Sequence, residues 1–216
     1  MQTDHRSYLG RVQITVKKLT ERKREDIIQA AKDEFRANGF SATSMDRIAE
    51  TAKVSKRTVY NHFESKEVLF SAIALELCNT FSQTSEHRYD PDVPLRTQLL
   101  DIANQQMTML CSDRFLRLFK MIMSETLTAP SLTESAIENF EKENIGLMKW
   151  ISMASQDGKL DITEPVMAGK QLLAMLEAFT SWPYLFGEDP VNDKDEQRKI
   201  VESAVSMFLD HYEIRT

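Results

Sequence analysis

Apolar residues return every third or fourth position along most of the chain, the spacing of helices with one buried face. Ile27, Ile28, Ala31 and Phe35 form such a stripe. They predict a helix from Glu21 to Asn38, with Gly39 placed to end it. Two short helices follow, Met45 to Ala52 and Lys56 to about His62, joined by a turn at Val54-Ser55. Thr43 or Ser44 can cap the first and Ser55 the second, since a hydroxyl oxygen there accepts from an orphan N–H of the first turn. Val59 and Phe63 lie one turn apart and share a face. Packed on Ile48, Ala49 and the first stripe, they close a three-helix unit. Glu64-Ser65 interrupts the chain, and Ser65 caps a longer helix from Lys66 to about Arg88, with Leu69, Phe70, Ile73, Leu77 and Phe81 at helical spacing.

The run from Asp90 to Pro94 breaks the pattern. Five more helical segments are predicted at about 95–111, 113–128, 131–157, 163–186 and 193–213. Ser112-Asp113 is a start signal, Ser131 and Glu134 form a capping box, and Thr163 with Pro165 opens another helix. Ala129-Pro130 and Asp157-Gly158 are stops, and 187–190 is an acidic turn. Val12, Ile14 and Val16 alternate, but so short a run with no partner strand makes no sheet. The chain reads as all-α in three parts: an N-terminal arm over 1–20, a three-helix head over 21–66 and a helical body over 67–216.

Charge sharpens this division. The whole chain carries a net −6, but residues 1–66 hold 14 Lys and Arg against 9 Asp and Glu, while the remainder holds 13 against 24. A basic head suits phosphate, and an acidic body limits nonspecific adhesion. Arg6, Arg11, Lys17 and Lys18 make the arm basic; it is a loosely ordered tail or, as the alternative, a minor-groove arm. No apolar run reaches 18 residues and the N-terminus has no signal-peptide core, so a cytoplasmic protein without a membrane span is expected. Cys78 and Cys111 read as small core residues of a reducing compartment, with a redox pair as the alternative. His5, His62, His87 and His211 make no metal-ligand spacing. No catalytic triad, phosphate-cradling glycine loop or metal set is present, so neither an enzyme nor a cofactor is expected.

The second short helix carries the chemistry. Lys56, Arg57, Thr58, Asn61 and His62 occupy its polar faces, and none is acidic. Eight residues span about 12 Å, close to the width of a B-DNA major groove. Arg and Lys can reach guanine or phosphate, Asn can pair with adenine, and the Thr methyl can meet a thymine methyl. Lys66 sits at a helix N-terminus, where the macrodipole disfavours a cation unless an anion is near. The alternative is a solvated polar face on a small helical unit.

The segment from about 21 to 80 resembles the DNA-binding domain of the TetR/AcrR family of bacterial transcriptional regulators. The matching positions are Gly39-Phe40, Thr43-Ser44-Met45, Ile48-Ala49, Ala52, Val54-Ser55, Thr58-Val59-Tyr60, His62-Phe63, Ser65-Lys66-Glu67 and Leu69. Lys53 and Arg57 depart from it, each standing where the family often has Gly, and both add positive charge. The resemblance implies a double-stranded DNA operator as partner, met by Thr43, Arg47, Lys56, Arg57, Thr58, Tyr60, Asn61, His62 and Lys66.

It also implies a homodimer in which the last two helices pair with their copies in a second subunit. Leu172, Leu176 and Phe179 on one helix, and Val201, Ala204, Val205 and Phe208 on the next, are the residues expected there; core of a single subunit is the alternative. The body is rich in soft apolar side chains, with 11 Met and 11 Phe in the chain. With the resemblance, Phe81, Met107, Leu110, Phe115, Phe119, Met123, Trp150 and Met175 are expected to line a pocket for a small apolar or aromatic effector, with Glu125 and Glu177 as candidate polar anchors; ordinary core, and solvated positions for the two glutamates, are the alternatives. Function is then expected to be that of a dimeric repressor released from a palindromic operator by this effector. The alternative is an effector-independent architectural or adaptor protein.

Overall fold

The computed structural model describes the backbone of residues 5–83, 88–134 and 146–214, and the side chains of the same ranges except 5–18 and 78–83. Every regular element among them is helical: ten α-helices, one 3₁₀ turn and no strand. The all-α expectation holds.

Helix α1 runs from His5 to Ala42, broken only at Gly39, whose φ of 78° and ψ of 163° turn the chain out of the helix. The expected start at Glu21 is therefore too late. The arm has no proline to stop a helix, and its alternating Val12, Ile14 and Val16 do not override helical backbone. Helices α2 (Met45–Thr51) and α3 (Lys56–His62) complete the head. Ile27, Ala31, Phe35, Ile48, Ala49, Val59 and Phe63 are all buried in it, as the stripes require. Helix α4 (Lys66–Gln83) begins under the head and enters the body, with Leu69, Phe70, Ile73 and Leu77 buried. Phe35, Phe40 and Phe70 pack as a trio with ring centroids 5.2–5.7 Å apart.

The body holds α5 (Leu95–Leu110), α6 (Asp113–Thr128), α7 (Gly146–Gln156), α8 (Pro165–Glu177), α9 (Ser181–Leu185) and α10 (Lys194–Tyr212). Two expected helices depart from their expected course, and residues 135–145 of the first lie outside the described residues. The segment 131–157 opens with a 3₁₀ turn, Pro130–Leu132, so Ser131 lies inside a turn instead of capping a helix. The segment 163–186 breaks at Thr180 (φ −128°, ψ −83°), whose hydroxyl donates to Leu176 O at 3.0 Å. Pro183 is the physical reason: an unbroken helix would need an N–H that proline lacks and would drive its ring into carbonyl 179.

The last two stripes also turn out differently. Leu172, Leu176, Val201, Ala204, Val205 and Phe208 are buried within the one chain, where α8, α10 and α5 pack together. Of the expected interface residues only Phe179 is exposed. Periodicity identifies the apolar face of a helix but not what covers it, and here the same chain does. Helix α7 approaches α8 closely because residue 169 is glycine; a Cβ there would meet Met148 at 2.9 Å.

Candidate nucleic-acid interface

Local capping sets both short helices of the head. Ser44 Oγ accepts from Arg47 N at 3.2 Å, and Ser55 Oγ accepts from Thr58 N at 3.1 Å. With Val59 fully buried and Phe63 nearly so, α3 is fixed in rotation about its axis. Lys56, Arg57, Tyr60 and Asn61 are then exposed, with Thr58 and His62 half-buried beside them. The guanidinium of Arg24 stands 5.0 Å from the Phe63 ring centroid and ties α1 to the far end of α3.

The side chains of this face differ in how far they are already engaged. Lys56 Nζ lies 2.8 Å from Asp46 Oδ1, and the hydrogen bond to that carboxylate raises the ammonium pKa above its ordinary value. Arg47 Nε pairs with Glu34 Oε2 at 2.9 Å. Glu34 also accepts from Thr51 Oγ1 at 2.6 Å and from Asn38 Nδ2 at 2.9 Å, so one carboxylate braces α1 and α2. Thr58 Oγ1 and Ser55 Oγ share a hydrogen bond of 2.7 Å. Arg57 and Asn61, one turn apart, are left presenting a fork of guanidinium donors and an amide to solvent. A seven-residue helix about 10 Å long fits the major groove.

Two of the expected contact residues have their polar side-chain atoms engaged within the fold. Thr43 is buried, and its hydroxyl donates to Gly39 O at 2.8 Å and Glu34 O at 3.2 Å. Lys66 Nζ donates to Phe40 O at 2.6 Å and Thr43 O at 2.8 Å, and stands 4.3 Å from the Phe40 ring centroid. Together they hold the corner between α1 and α2.

The body grips the same corner. Glu125, expected to anchor a ligand, accepts from Phe40 N at 3.1 Å through Oε1. Near the other end of α6, Arg114 reaches Glu76 of α4 at 3.1 Å, and Glu76 also holds Lys32 of α1 at 2.6 Å. Helix α6 thus meets the head directly at Phe40 near one end and is linked to Lys32 of α1 through Glu76 near the other. No sequence signal announced these pairs, whose members lie 38 to 85 positions apart.

The expected pocket residues fall into separate groups. Phe115 and Phe119 stack at 5.9 Å, and Phe119 meets Trp182 edge-on at 6.4 Å. Trp150 instead lies against Tyr89 at 5.9 Å and donates to Gln98 Oε1 at 3.0 Å. Met107 and Leu110 are buried; Met107 borders a shallow cleft of about 260 Å³ between α5 and α10. Met123, Met175 and Glu177 are half-buried, and burial pushes the Glu177 carboxyl above its usual range. Phe81 and Cys78 lie outside the described side chains; Cys111 is a free, half-buried thiol. No helix among the described residues is long and apolar enough to cross a membrane.

Residues 27–73 match the family "Bacterial regulatory proteins, tetR family", and residues 97–214, more than half of the chain, match "AefR-like transcriptional repressor, C-terminal domain". The crystal structure of a TetR family transcriptional regulator from Pseudomonas syringae pv. tomato str. DC3000 is 40% identical, with a TM-score of 0.78 over 90% of this chain and 98% of that one. A second solved structure, the flavonoid-responsive regulator FrrA, is 26% identical with a TM-score of 0.72, over 91% of this chain and 100% of that one. Among curated proteins, the uncharacterized HTH-type transcriptional regulator YhgD of Bacillus subtilis (strain 168) is 37% identical over 68 residues, 32% of this chain and 36% of that protein. The chain therefore spans only about a third of the length of that curated relative. With head and body both matched, and with a polar face presented by α3, the chain belongs to the TetR family of DNA-binding bacterial transcriptional regulators.

Proposed function

We propose that the protein is a dimeric repressor that reads a palindromic operator through α3 and is released from it by a small apolar or aromatic ligand bound in the body. The observation that carries this is the exposed face of α3, where Arg57 and Asn61 stand one turn apart beside Lys56, Tyr60 and His62 while Val59 locks the helix below. Two-fold pairing of such heads reads half-sites about 34–36 Å apart, or a multiple of that spacing. Arg47, Lys56, Arg57, Thr58, Tyr60, Asn61 and His62 form the contact set; Thr43 and Lys66 position it. The second subunit docks on the apolar side chains left exposed by α8, α9, α10 and the link between α8 and α9: Val166, Met167, Phe179, Trp182 and Met207.

The effector class is supported by the aromatic group Phe115, Phe119 and Trp182 and by the flavonoid response named for FrrA. Helix α6 carries Phe115 and Phe119 and also reaches the head through Glu125, so a ligand that shifts α6 moves the corner at Phe40. The test is binding of the purified protein to duplex DNA from upstream of its own gene, titrated with flavonoids as probes. The expected result is two protomers per operator and loss of the complex on adding a probe. Operator binding that no aromatic probe alters would remove the release mechanism and leave the alternative of an effector-independent DNA-binding protein.

A further inference from the structure

We propose that Lys53, in the turn between α2 and α3, is an additional contact to the DNA backbone, kept at this position against the conformational preference of the chain. This rests on α3 being the helix that enters DNA. The turn ends α2 with two hydrogen bonds, Val54 N to Ala49 O at 3.0 Å and Lys53 N to Glu50 O at 3.1 Å. That pair demands a left-handed residue between them, a place where a Cβ crowds the backbone and glycine is relaxed. Lys53 adopts φ 55°, the one positive φ outside glycine among the described residues. A strained non-glycine residue persists where something else selects the side chain.

The surroundings indicate what that is. Lys53 is exposed. Of the cations around α3, Lys56 is held by Asp46, Arg47 by Glu34 and Lys66 by backbone carbonyls. Among the described residues Lys53 and Arg57 have no such acceptor, and they flank the start of α3 on either side of its Ser55 cap. The N-terminal residues of a recognition helix contact base edges, so the turn before them lies at the rim of the groove, where the phosphates are. A shallow cleft beside the turn is lined by Lys23, Asp26, Asp33 and Lys53. Asp33 is bonded to Arg36 at 3.1 Å, which leaves Asp26 as the competing carboxylate.

Full-length wild type, K53G, K53Q, K53R and D26N are compared by thermal unfolding and by fluorescence anisotropy. The probes are a duplex from upstream of the gene and a scrambled duplex, each across a salt series. K53G is expected to raise the thermal midpoint by a few degrees yet bind both duplexes roughly 5- to 10-fold more weakly, with the salt slope shallower by about one. K53Q loses the same affinity without the rise in midpoint, and K53R and D26N retain it. Unchanged affinity and slope in K53G and K53Q overturn the proposal, as does a midpoint that falls in both K53G and D26N, which would assign Lys53 to Asp26. A wild type that does not distinguish the two duplexes defeats the operator reading alone, because the Lys53 effect is still read on scrambled DNA.

Discussion

The head and the body are built from the same kind of amphipathic helix, yet they differ in what they leave exposed beside the charged residues. In the head a thin apolar face, Val59 and Phe63 on α3, is buried so that the polar face can be presented. In the body α8 and α10 bury Leu172, Leu176, Val201, Val205 and Phe208, and large apolar side chains stay exposed among their charged ones: Val166 and Met167 on α8, Met207 on α10 and Phe179 just after α8. A stripe read from spacing identifies a helix in both regions, while only the chemistry of the opposite face says what that helix is for.

The largest test of this contrast lies in the body. Phe208→Ala should lower the stability of the folded chain by about 3–5 kcal/mol, as for a large side chain removed from a packed core. Its neighbour Met207→Lys should leave stability within about 0.5 kcal/mol while dissociating any dimer formed through that face. Denaturant unfolding together with sedimentation of the two variants checks both outcomes. A Phe208→Ala chain that unfolds like wild type but sediments as a monomer would return the buried stripe to the interface.

In the head, Arg57→Ala should weaken operator binding by about 1–3 kcal/mol and relax preference at one base position. Equal loss on every sequence would show that Arg57 touches only phosphate. A smaller and more discriminating pair compares two caps. Ser55→Ala on α3 and Ser112→Ala on α6 each remove a hydroxyl that accepts from a first-turn N–H, at 3.1 and 3.3 Å. Each should cost about 1 kcal/mol of stability, but only Ser55→Ala should also weaken DNA binding. Parallel losses of DNA affinity in both would mean that head and body fail together.

A last effect appears only outside neutral pH. Tyr89 is buried and its hydroxyl donates to Asp157 at 2.5 Å; burial first, then that bond, push its pKa up to about 12. A raised tyrosine pKa contributes stability that is fully present below pH about 10, the unfolded value, and lost as pH rises toward about 12. The bond from Tyr89 also holds Asp157 below the usual carboxylate range, a contribution present at neutral pH and lost on acidification below that range. Absorbance titration of tyrosinate should show one late-ionising ring that Tyr89→Phe removes. A Tyr89→Phe protein with the same late step would assign it elsewhere.

Much of the head was legible because its determinants are local. Ser44, Ser55 and Val59 act within one turn of themselves. What was not legible is long-range or depends on a single breaker. The tie between Glu125 and Phe40 spans 85 residues, and Glu34 gathers Arg47 and Thr51 from a different helix. Apolar periodicity ran through Phe179, so the break at Thr180 was missed although Pro183 signalled it. Thr43 and Lys66 carry the residue types of a DNA contact, and only the tertiary structure shows their polar atoms turned onto backbone carbonyls.

If α3 reads sequence, the protein must tell its own operator from other DNA. The direct measurement is the affinity of the purified protein for DNA upstream of its own gene against scrambled DNA, across a salt series, with the protomers per site counted. A specific excess of roughly 10³-fold or more is expected, with two protomers bound. Equal affinity for both duplexes, fading together as salt rises, would contradict it and leave a basic head that meets only phosphate.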